Sequence, residues 1–506
     1  MQRDRIRVAL LYRGPQHEGR DDFSSFVPMG LFNVLKSLRD AGYDASLHNL
    51  SHTPRAELAE TLRHIEAAAY LISAFFGCHH EAYGLARAAK KISPAAPIIL
   101  GGPLSVLGPA VLARVEEIDF LIRGEGEEAS VALLDSLFFG QGAPASVPGV
   151  VFRTSNEVSE TPPRLLADID CGFFLPSEVM GHCHGVQPEN FAVLISSRGC
   201  PFRCAFCSST VLWQNRVRHH RVDLLLRYLH DLRAATGAIY FSLRDENFLV
   251  NRSHVREFTE ALKHSGLHYL WNAQGSPHLL DDDLARTLAE AGCDQIQMGI
   301  EAIPPRLLAL LNKQGSPPKI AAAIRTLRQQ AIRPFGYFIY GMDETEAEGA
   351  ETLNFIKHAG LLDAVASPLA LYPGTWLSQG VEPEHFFAKG EVLFYSPASA
   401  KKWKKKYQQA LATLYEQEGF RREEVAPSTT PNPVRTVARH FQLLAQGDLA
   451  GAEKILLTLT REQPQNPWGF ELLSRLYGEL GERKKATAMR RKLHLLTGVF
   501  PQSPEA

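Results

Sequence analysis

Ser196-Ser197-Arg198-Gly199-Cys200-Pro201-Phe202-Arg203-Cys204-Ala205-Phe206-Cys207 sets three thiols at spacing C-x3-C-x2-C. The stretch is punctuated by Gly and Pro and follows the apolar run Phe191–Ile195. Thiolates favour zinc or iron–sulfur over hard cations. A closed zinc site needs a fourth ligand, which His182, His184, His219 or His220 would supply. An iron–sulfur cluster usually takes four cysteines, so three leave one metal position open to a substrate or cofactor.

The 506 residues are enough for roughly three domains. A net charge of −1 gives no bulk attraction to nucleic acid or to a membrane surface. Seven cysteines in a chain this long make no disulfide framework. Cys78, Cys171, Cys183 and Cys293 are scattered and read as ordinary thiols. The loop thiols must stay reduced to bind iron, which implies a reducing compartment. The charged start Met1-Gln-Arg-Asp-Arg-Ile-Arg7 has no signal-peptide core, and no stretch of about 18 apolar residues occurs. The expectation is a soluble, cytoplasmic protein.

Residues 1–140 alternate strand and helix patterns. Strands are expected over 5–12, 44–50, 70–76, 97–100 and 119–123, and helices over 29–41, 56–67, 80–91, 106–115 and 128–137. This rhythm argues a parallel, doubly wound sheet, whose ligands sit at the carboxyl ends of strands. Gly77, Gly101, Gly102, Gly124 and Gly126 fall at those ends, either to let backbone approach a large ligand or merely to turn the chain. Residues 141–190 read as a connector, with a short strand over 150–153 and no clear period after it. His182, Cys183 and His184 are there a loop feature or metal ligands.

Residues 191–395 show a second alternation. Six strands are expected, over 191–196, 238–244, 267–272, 295–300, 333–340 and 364–371, each with polar or glycine residues at or beyond its carboxyl end. The helices between them include 253–265 capped by Ser253 and 281–291 capped by Asp281. Residues 396–433 hold a helix and a linker. The helix begins at Lys401-Lys-Trp-Lys-Lys-Lys406, a run that reads as a solvated face or a phosphate contact, and the linker is Pro427–Pro433. In residues 434–500, Gly447-Asp-Leu-Ala-Gly-Ala452 aligns with Gly481-Glu-Arg-Lys-Lys-Ala486 at an offset of 34, the tetratricopeptide period. Either two such repeats or a plain helical extension is expected there, docked on the preceding domain or serving a protein partner.

The cysteine spacing, with Phe206 before the last thiol, resembles the signature of the radical SAM enzymes. The resemblance spans residues 191–395 and implies a partial (βα)6 TIM-like barrel. It includes Asp245-Glu246-Asn247-Phe248, Gly299-Ile300-Glu301, Gly341-Met-Asp-Glu-Thr345 and Pro373-Gly374-Thr375. It implies that Cys200, Cys204 and Cys207 hold a [4Fe–4S] cluster that chelates S-adenosylmethionine (SAM). Phe206 would then lie by the adenine, Glu301 by the methionine or ribose end, and Asp245, Glu246 and Asn247 would face the SAM and substrate region. For Glu301 a role as helix cap or ion-pair partner competes; for Asp343 and Glu344 such a role is the expectation. Relatives often place an arginine after the third strand, where this chain reads Gln274-Gly275-Ser276-Pro277. Arg198 is the candidate substitute.

Val27-Pro28-Met29-Gly30-Leu31, Gly101-Gly102-Pro103 and Gly124-Glu125-Gly126-Glu127 resemble the cobalamin-binding domain that precedes many radical SAM domains. That implies a Rossmann-like fold and cobalamin held with help from Gly101, Gly102, Gly124, Glu125 and Gly126. The Asp-x-His-x-x-Gly cobalt-ligating motif is absent, and His48, His79 and His80 lack its context. The resemblance implies methyl transfer to an unactivated carbon or phosphorus of a small-molecule or peptide substrate, with an electron donor such as flavodoxin or ferredoxin. Two other functions compete: a cobalamin-associated cyclase or rearrangement enzyme without methyl transfer, and an idle cluster-bearing scaffold acting through its helical tail.

Overall fold

The computed structural model describes residues 2–15, 26–155, 157–387, 392–416 and 433–498. The chain divides into two compact units: Met1–Phe191 with Phe206–Asn215 and Ala370–Leu393, and Ala192–Ala205 with Arg216–Leu369 and Phe394–Ala506.

The first unit is built on β1 (Arg7–Tyr12), α1 (Met29–Asp40), β2 (Asp44–Asn49), α2 (Leu58–Arg63), β3 (Ala69–Ser73), α3 (His79–Ile92), β4 (Ile98–Gly101), α4 (Gly108–Arg114), β5 (Phe120–Ile122) and α5 (Glu127–Phe139). Then come β6 (Val150–Arg153), β7 (Val158–Glu160), α6 (Pro176–Val179), β8 (Cys183–His184) and α7 (Ser209–Trp213). The sheet order is β7-β6-β5-β4-β3-β1-β2-β8. Strands β1 to β5 pair in parallel, in the doubly wound order 2-1-3-4-5. Leu10, Leu11, Ile72, Ile98, Ile99 and Leu100 are buried, as a sheet covered on both faces requires.

The expected helix 56–67 is only Leu58–Arg63, with Leu62 its one buried side chain. Its flanking alanines fit a helix pattern without specifying one. The stretch 141–190 is no mere connector. Strands β6 and β7 extend the β5 edge antiparallel, and β8 extends the β2 edge in parallel. These pieces are too short to show a period. Their order comes from backbone groups satisfying a sheet edge.

The second unit carries six parallel strands: β9 (Val193–Leu194), β12 (Tyr240–Leu243), β13 (Leu270–Gly275), β14 (Cys293–Glu301), β15 (Arg333–Tyr340) and β16 (Asp363–Pro368), adjacent in that order. Beside β9 lies an antiparallel pair, β10 (Ser197–Arg198) and β11 (Arg218–His219). The helices are α8 (Val222–Thr236), α9 (Arg252–His264), α10 (Asp282–Glu290), α11 (Pro305–Leu310), α12 (Pro317–Gln329) and α13 (Glu346–His358). Strand and helix alternate as in a partial βα barrel. Trp271, Phe241, Phe248 and Phe258 form a buried aromatic core. Helix α9 is capped by Asn251, whose side chain accepts from the His254 amide, and not by Ser253. Ser253 lies one residue inside the helix, so it is Asn251 that stands three residues before the amide needing a partner. Asp281 caps α10 as expected.

Helix α14 (Pro397–Glu416) buries Trp403 against Gly349 of α13, where even a methyl group would collide with the indole. Lys402 and Lys406 flank that ring and pair with Glu346 at 2.9 and 2.8 Å. The lysine run is therefore the outer face of a docked helix. Apart from Pro433, the linker Pro427–Pro433 lies outside the described residues. Four helices follow: α15 (Pro433–Ala445), α16 (Leu449–Glu462), α17 (Pro467–Glu479) and α18 (Arg483–Thr497). Pro433 to Pro467 and Leu449 to Arg483 are each 34 residues apart. Val434 and Ala438 pack on Leu270 and Ala331, at the amino-terminal ends of β13 and β15. The tail thus docks on the barrel end opposite the carboxyl edge of the strands. No described helix is long and apolar enough to cross a membrane.

Candidate active site

The cysteine loop leaves the carboxyl end of the first barrel strand, and two successive acids after β12 hold its root. Asp245 is fully buried and accepts three hydrogen bonds: from the Ser196 amide (2.7 Å), the Ser196 hydroxyl (2.6 Å) and the Ser197 hydroxyl (2.5 Å). A buried carboxylate is tolerable only when so partnered. Burial pushes its carboxyl up to about 6, against the opposing pull of the serine hydrogen bonds. Glu246 accepts from the Gly199 amide at 2.9 Å. Gly199 has φ +97°, a conformation that favours glycine, and it is the residue immediately before Cys200. Asn247 donates to the Ser276 hydroxyl at 2.8 Å, tying the second strand end to the third.

The far side of the loop rests on residues 311–313. Leu311 accepts from the Ala205 amide at 2.8 Å, and the Asn312 side chain donates to the Arg203 carbonyl at 2.6 Å. Lys313 pairs with Glu301 at 3.1 Å, both side chains about nine-tenths buried. Glu301 ends β14 at φ +65°, beyond a register shift that starts at Gly299. A side chain at Gly299 would lie 2.5 Å from the Glu301 carboxylate and 2.8 Å from the Lys313 nitrogen, so that pair requires glycine there.

Burial pushes the Cys200 and Cys204 thiols up. The Lys313 ammonium pulls both down; Glu246 adds to the rise at Cys200, and Glu301 to that at Cys204. Cys207 and Phe206 lie in the short segment counted with the first unit. There the Cys207 carbonyl accepts from the Thr210 hydroxyl at 2.8 Å, at the start of α7. Burial, then Cys207, raises the Tyr372 hydroxyl. All three loop thiols are free and half-buried. Among the described residues no three Cys, His, Asp or Glu side chains are already drawn into a metal cage, the loop cysteines included. Thiolates repel one another until a cation gathers them, so a flexible thiol set beside one lysine suits a cluster that completes its own site.

The sequence reading did not single out Ser196, Ser197, Leu311, Asn312 and Lys313 as supports. The available signals were paired serines at a strand end and a cation in the Gly315 turn that follows a strand-end acid. Glu344 and Asp343 are structural, as expected. Glu344 accepts from the Gly341 and Met342 amides, and Asp343 from the Ser396 hydroxyl. Arg198 sits in β10 opposite Arg218, within the antiparallel pair.

In the first unit the glycine turns differ in kind. Gly101 opens to free space, whereas a side chain at Gly102 (φ +83°) would lie 2.8 Å from the Ala74 carbonyl. Gly124 turns the chain at φ +83°, and Gly126 packs near Val34. Glu125 is buried and accepts from the Leu166 amide at 2.7 Å, which fastens the chain after β7. His48 and His184 stack at 4.6 Å across β2 and β8. Burial, helped by His184, holds His48 down to about 4. Cys183 donates to the Val179 carbonyl.

The Radical SAM superfamily matches residues 194–356, and the B12 binding domain matches residues 24–134. An uncharacterized methyltransferase of Pyrococcus horikoshii is 28% identical over 356 residues, which is 69% of this chain and 77% of that protein. The anaerobic magnesium-protoporphyrin IX monomethyl ester cyclase of Cereibacter sphaeroides is 27% identical over 368 residues, 68% of this chain and 58% of that protein. Among solved structures, the radical S-adenosylmethionine methyltransferase TsrM from Kitasatospora setae, with cobalamin and a [4Fe-4S] cluster bound, aligns at TM-score 0.66. That alignment covers 90% of this chain and 99% of TsrM at 16% identity, a likeness of fold. In this one chain a B12-binding domain is followed by a radical SAM domain, with a helical region behind them.

Proposed function

We propose that the protein is a cobalamin-dependent radical SAM enzyme that transfers a methyl group to an unactivated carbon or phosphorus of its substrate. When bound, the cluster and SAM supply a 5′-deoxyadenosyl radical by one-electron cleavage of the sulfonium, and cobalamin supplies the methyl group. Cys200, Cys204 and Cys207 hold the cluster. Asp245 and Glu246 are positioning residues: they fix Ser196 to Gly199 and so aim the loop. Lys313 counters the thiolate charge and keeps Glu301 ionised at the strand end. Glu301 then serves SAM through the oxygen that Lys313 does not take. Phe206 places backbone beside the adenine. Gly101, Gly102, Gly124, Glu125 and Gly126 form the cobalamin-side turns, without a histidine from an Asp-x-His-x-x-Gly motif.

The observation that carries this reading is the three-thiol loop held from both sides at the carboxyl end of a parallel βα unit, in a chain that also carries a B12-binding domain. A flavodoxin or ferredoxin would deliver the electron in the cytoplasm. The 34-residue recurrence of helix starts supports reading the tail as two tetratricopeptide-like repeats that contact a protein partner. The likeness to a cyclase supports a second reading, ring formation without methyl transfer.

Anaerobically purified protein tests the cobalamin assignment by its visible spectrum. Incubation with SAM, methylcobalamin, a reductant and candidate substrates tests the reaction. 5′-Deoxyadenosine together with S-adenosylhomocysteine supports methyl transfer. 5′-Deoxyadenosine alone, with substrate consumed, supports the second reading. Neither product from cluster-loaded protein overturns both.

A further inference from the structure

The first unit carries a cationic cavity that the proposed chemistry does not use. It measures about 470 Å³ and is lined by Arg55, His79, Tyr83, Arg87, Arg114 and Phe387, among others. None of Gly101, Gly102, Gly124, Glu125 and Gly126 lines it. Nor does any carboxylate line it among the described residues.

The three arginines are unequally neutralised. Arg55 pairs with Glu81 at 2.5 Å, a carboxylate that Arg13 also holds at 2.7 Å. Arg87 reaches Glu117 only at 3.6 Å. Arg114 has no acidic partner among the described residues, and its guanidinium lies 5.0 Å over the Phe387 ring. His79 opens α3 with no side-chain cap before it, so the positive end of that helix adds to the field.

Two buried polar groups on the same wall lack partners. His79 is 3% exposed and Tyr83 is 7% exposed. The His79 Nδ1 atom and the Tyr83 hydroxyl have no hydrogen-bond partner among the described residues. Buried polar atoms are nearly always satisfied, so an unmet pair beside unneutralised guanidiniums points to a ligand. Arg87 and Arg114 both act electrostatically on the Tyr83 hydroxyl, which sets the three groups in one neighbourhood.

We infer that this cavity binds a small phosphorylated molecule. Arg87, Arg114 and Tyr83 take the phosphoryl oxygens, and the apolar or aromatic body rests on Phe387. Guanidinium forks match phosphate geometry, and the volume is that of a small-molecule site rather than of a lone ion.

Isothermal titration of the full-length protein with pyrophosphate, at constant ionic strength, tests the inference. The expected result is saturable binding to one site per chain. Arg87→Gln and Arg114→Gln should each weaken it about tenfold, as loss of a charge-assisted hydrogen bond does. Both arginines are exposed, so these variants keep the fold, which unchanged thermal unfolding verifies. Tyr83→Phe should weaken binding with the same stoichiometry. Arg63→Gln, on a separate surface, should leave it unchanged. No saturable binding, equal affinity in the Arg87 and Arg114 variants, or equal binding of malonate overturns the phosphoryl assignment.

Discussion

Asp245 accepts both the backbone amide and the hydroxyl of Ser196, at 2.7 and 2.6 Å, inside a fully buried pocket. One carboxylate thereby fixes the backbone four residues ahead of the first loop cysteine. Its carboxyl, ordinarily at 3.8, is held up at about 6 by burial. A raised folded value means that this group favours folding most below its unfolded value and loses that contribution as pH rises through 6. The stability of the wild type relative to Asp245→Asn should therefore fall by on the order of 3 kcal/mol between pH 4 and pH 7. Urea unfolding across that window measures it, and a flat difference would contradict the assigned environment.

Lys313 sets the charge balance of the loop. Lys313→Gln removes the cation that pulls the Cys200 and Cys204 thiols down. In metal-free protein at pH 8, iodoacetamide should label those two cysteines several-fold more slowly, because the thiolate is the reacting form. The variant also leaves Glu301 buried without its partner, at a cost on the order of 3 kcal/mol. Lys313→Arg should restore the labelling rate. Unchanged labelling in Lys313→Gln would remove the lysine from the site.

Gly299→Ala tests the same pair by geometry. The added methyl would stand 2.5 Å from the Glu301 carboxylate and 2.8 Å from the Lys313 nitrogen. The pair must separate, and thiol labelling should move in the direction of Lys313→Gln. A wild-type labelling rate would show that the pair has room to shift.

Gly349→Ala addresses the docked helix α14. The new methyl would strike the Trp403 indole, which is 1% exposed. Overpacking of this kind typically costs about 1–3 kcal/mol. Denaturant unfolding should show that loss, with Trp403 fluorescence shifted to the red. Wild-type stability would mean that α14 does not depend on this seat.

The barrel was legible in the sequence because its strands are bounded by glycines and polar turns. Val222–Thr236 and Arg333–Tyr340 are the helix and strand that the pattern outlines. The cysteine loop was legible because thiol spacing is local. Its supports were not. Asp245 was expected beside SAM, yet its oxygens are engaged by Ser196 and Ser197, residues nearly fifty positions away in the chain. Lys313 looks like any surface lysine until the fold brings it to Glu301. Strands β7 and β8 carry no hydrophobic alternation, since edge pairing draws on backbone groups that every sequence has. The cap at Asn251 was mistaken for Ser253 by one position, within the usual uncertainty of helix ends.

The cluster assignment makes the three thiols equivalent in necessity. Cys200→Ala, Cys204→Ala and Cys207→Ala should each lose most bound iron and sulfide after anaerobic reconstitution. Cys183→Ala and Cys293→Ala should retain about four iron atoms per chain. Retention of the cluster in any of the three loop variants would remove that cysteine from the ligand set.

The most direct measurement is the nucleoside left after reconstituted protein, SAM and a strong one-electron reductant are incubated without oxygen. 5′-Deoxyadenosine that forms with wild-type protein and not with Cys200→Ala, Cys204→Ala or Cys207→Ala is the predicted result. No 5′-deoxyadenosine from protein carrying a full cluster, or equal amounts from the cysteine variants, would contradict it.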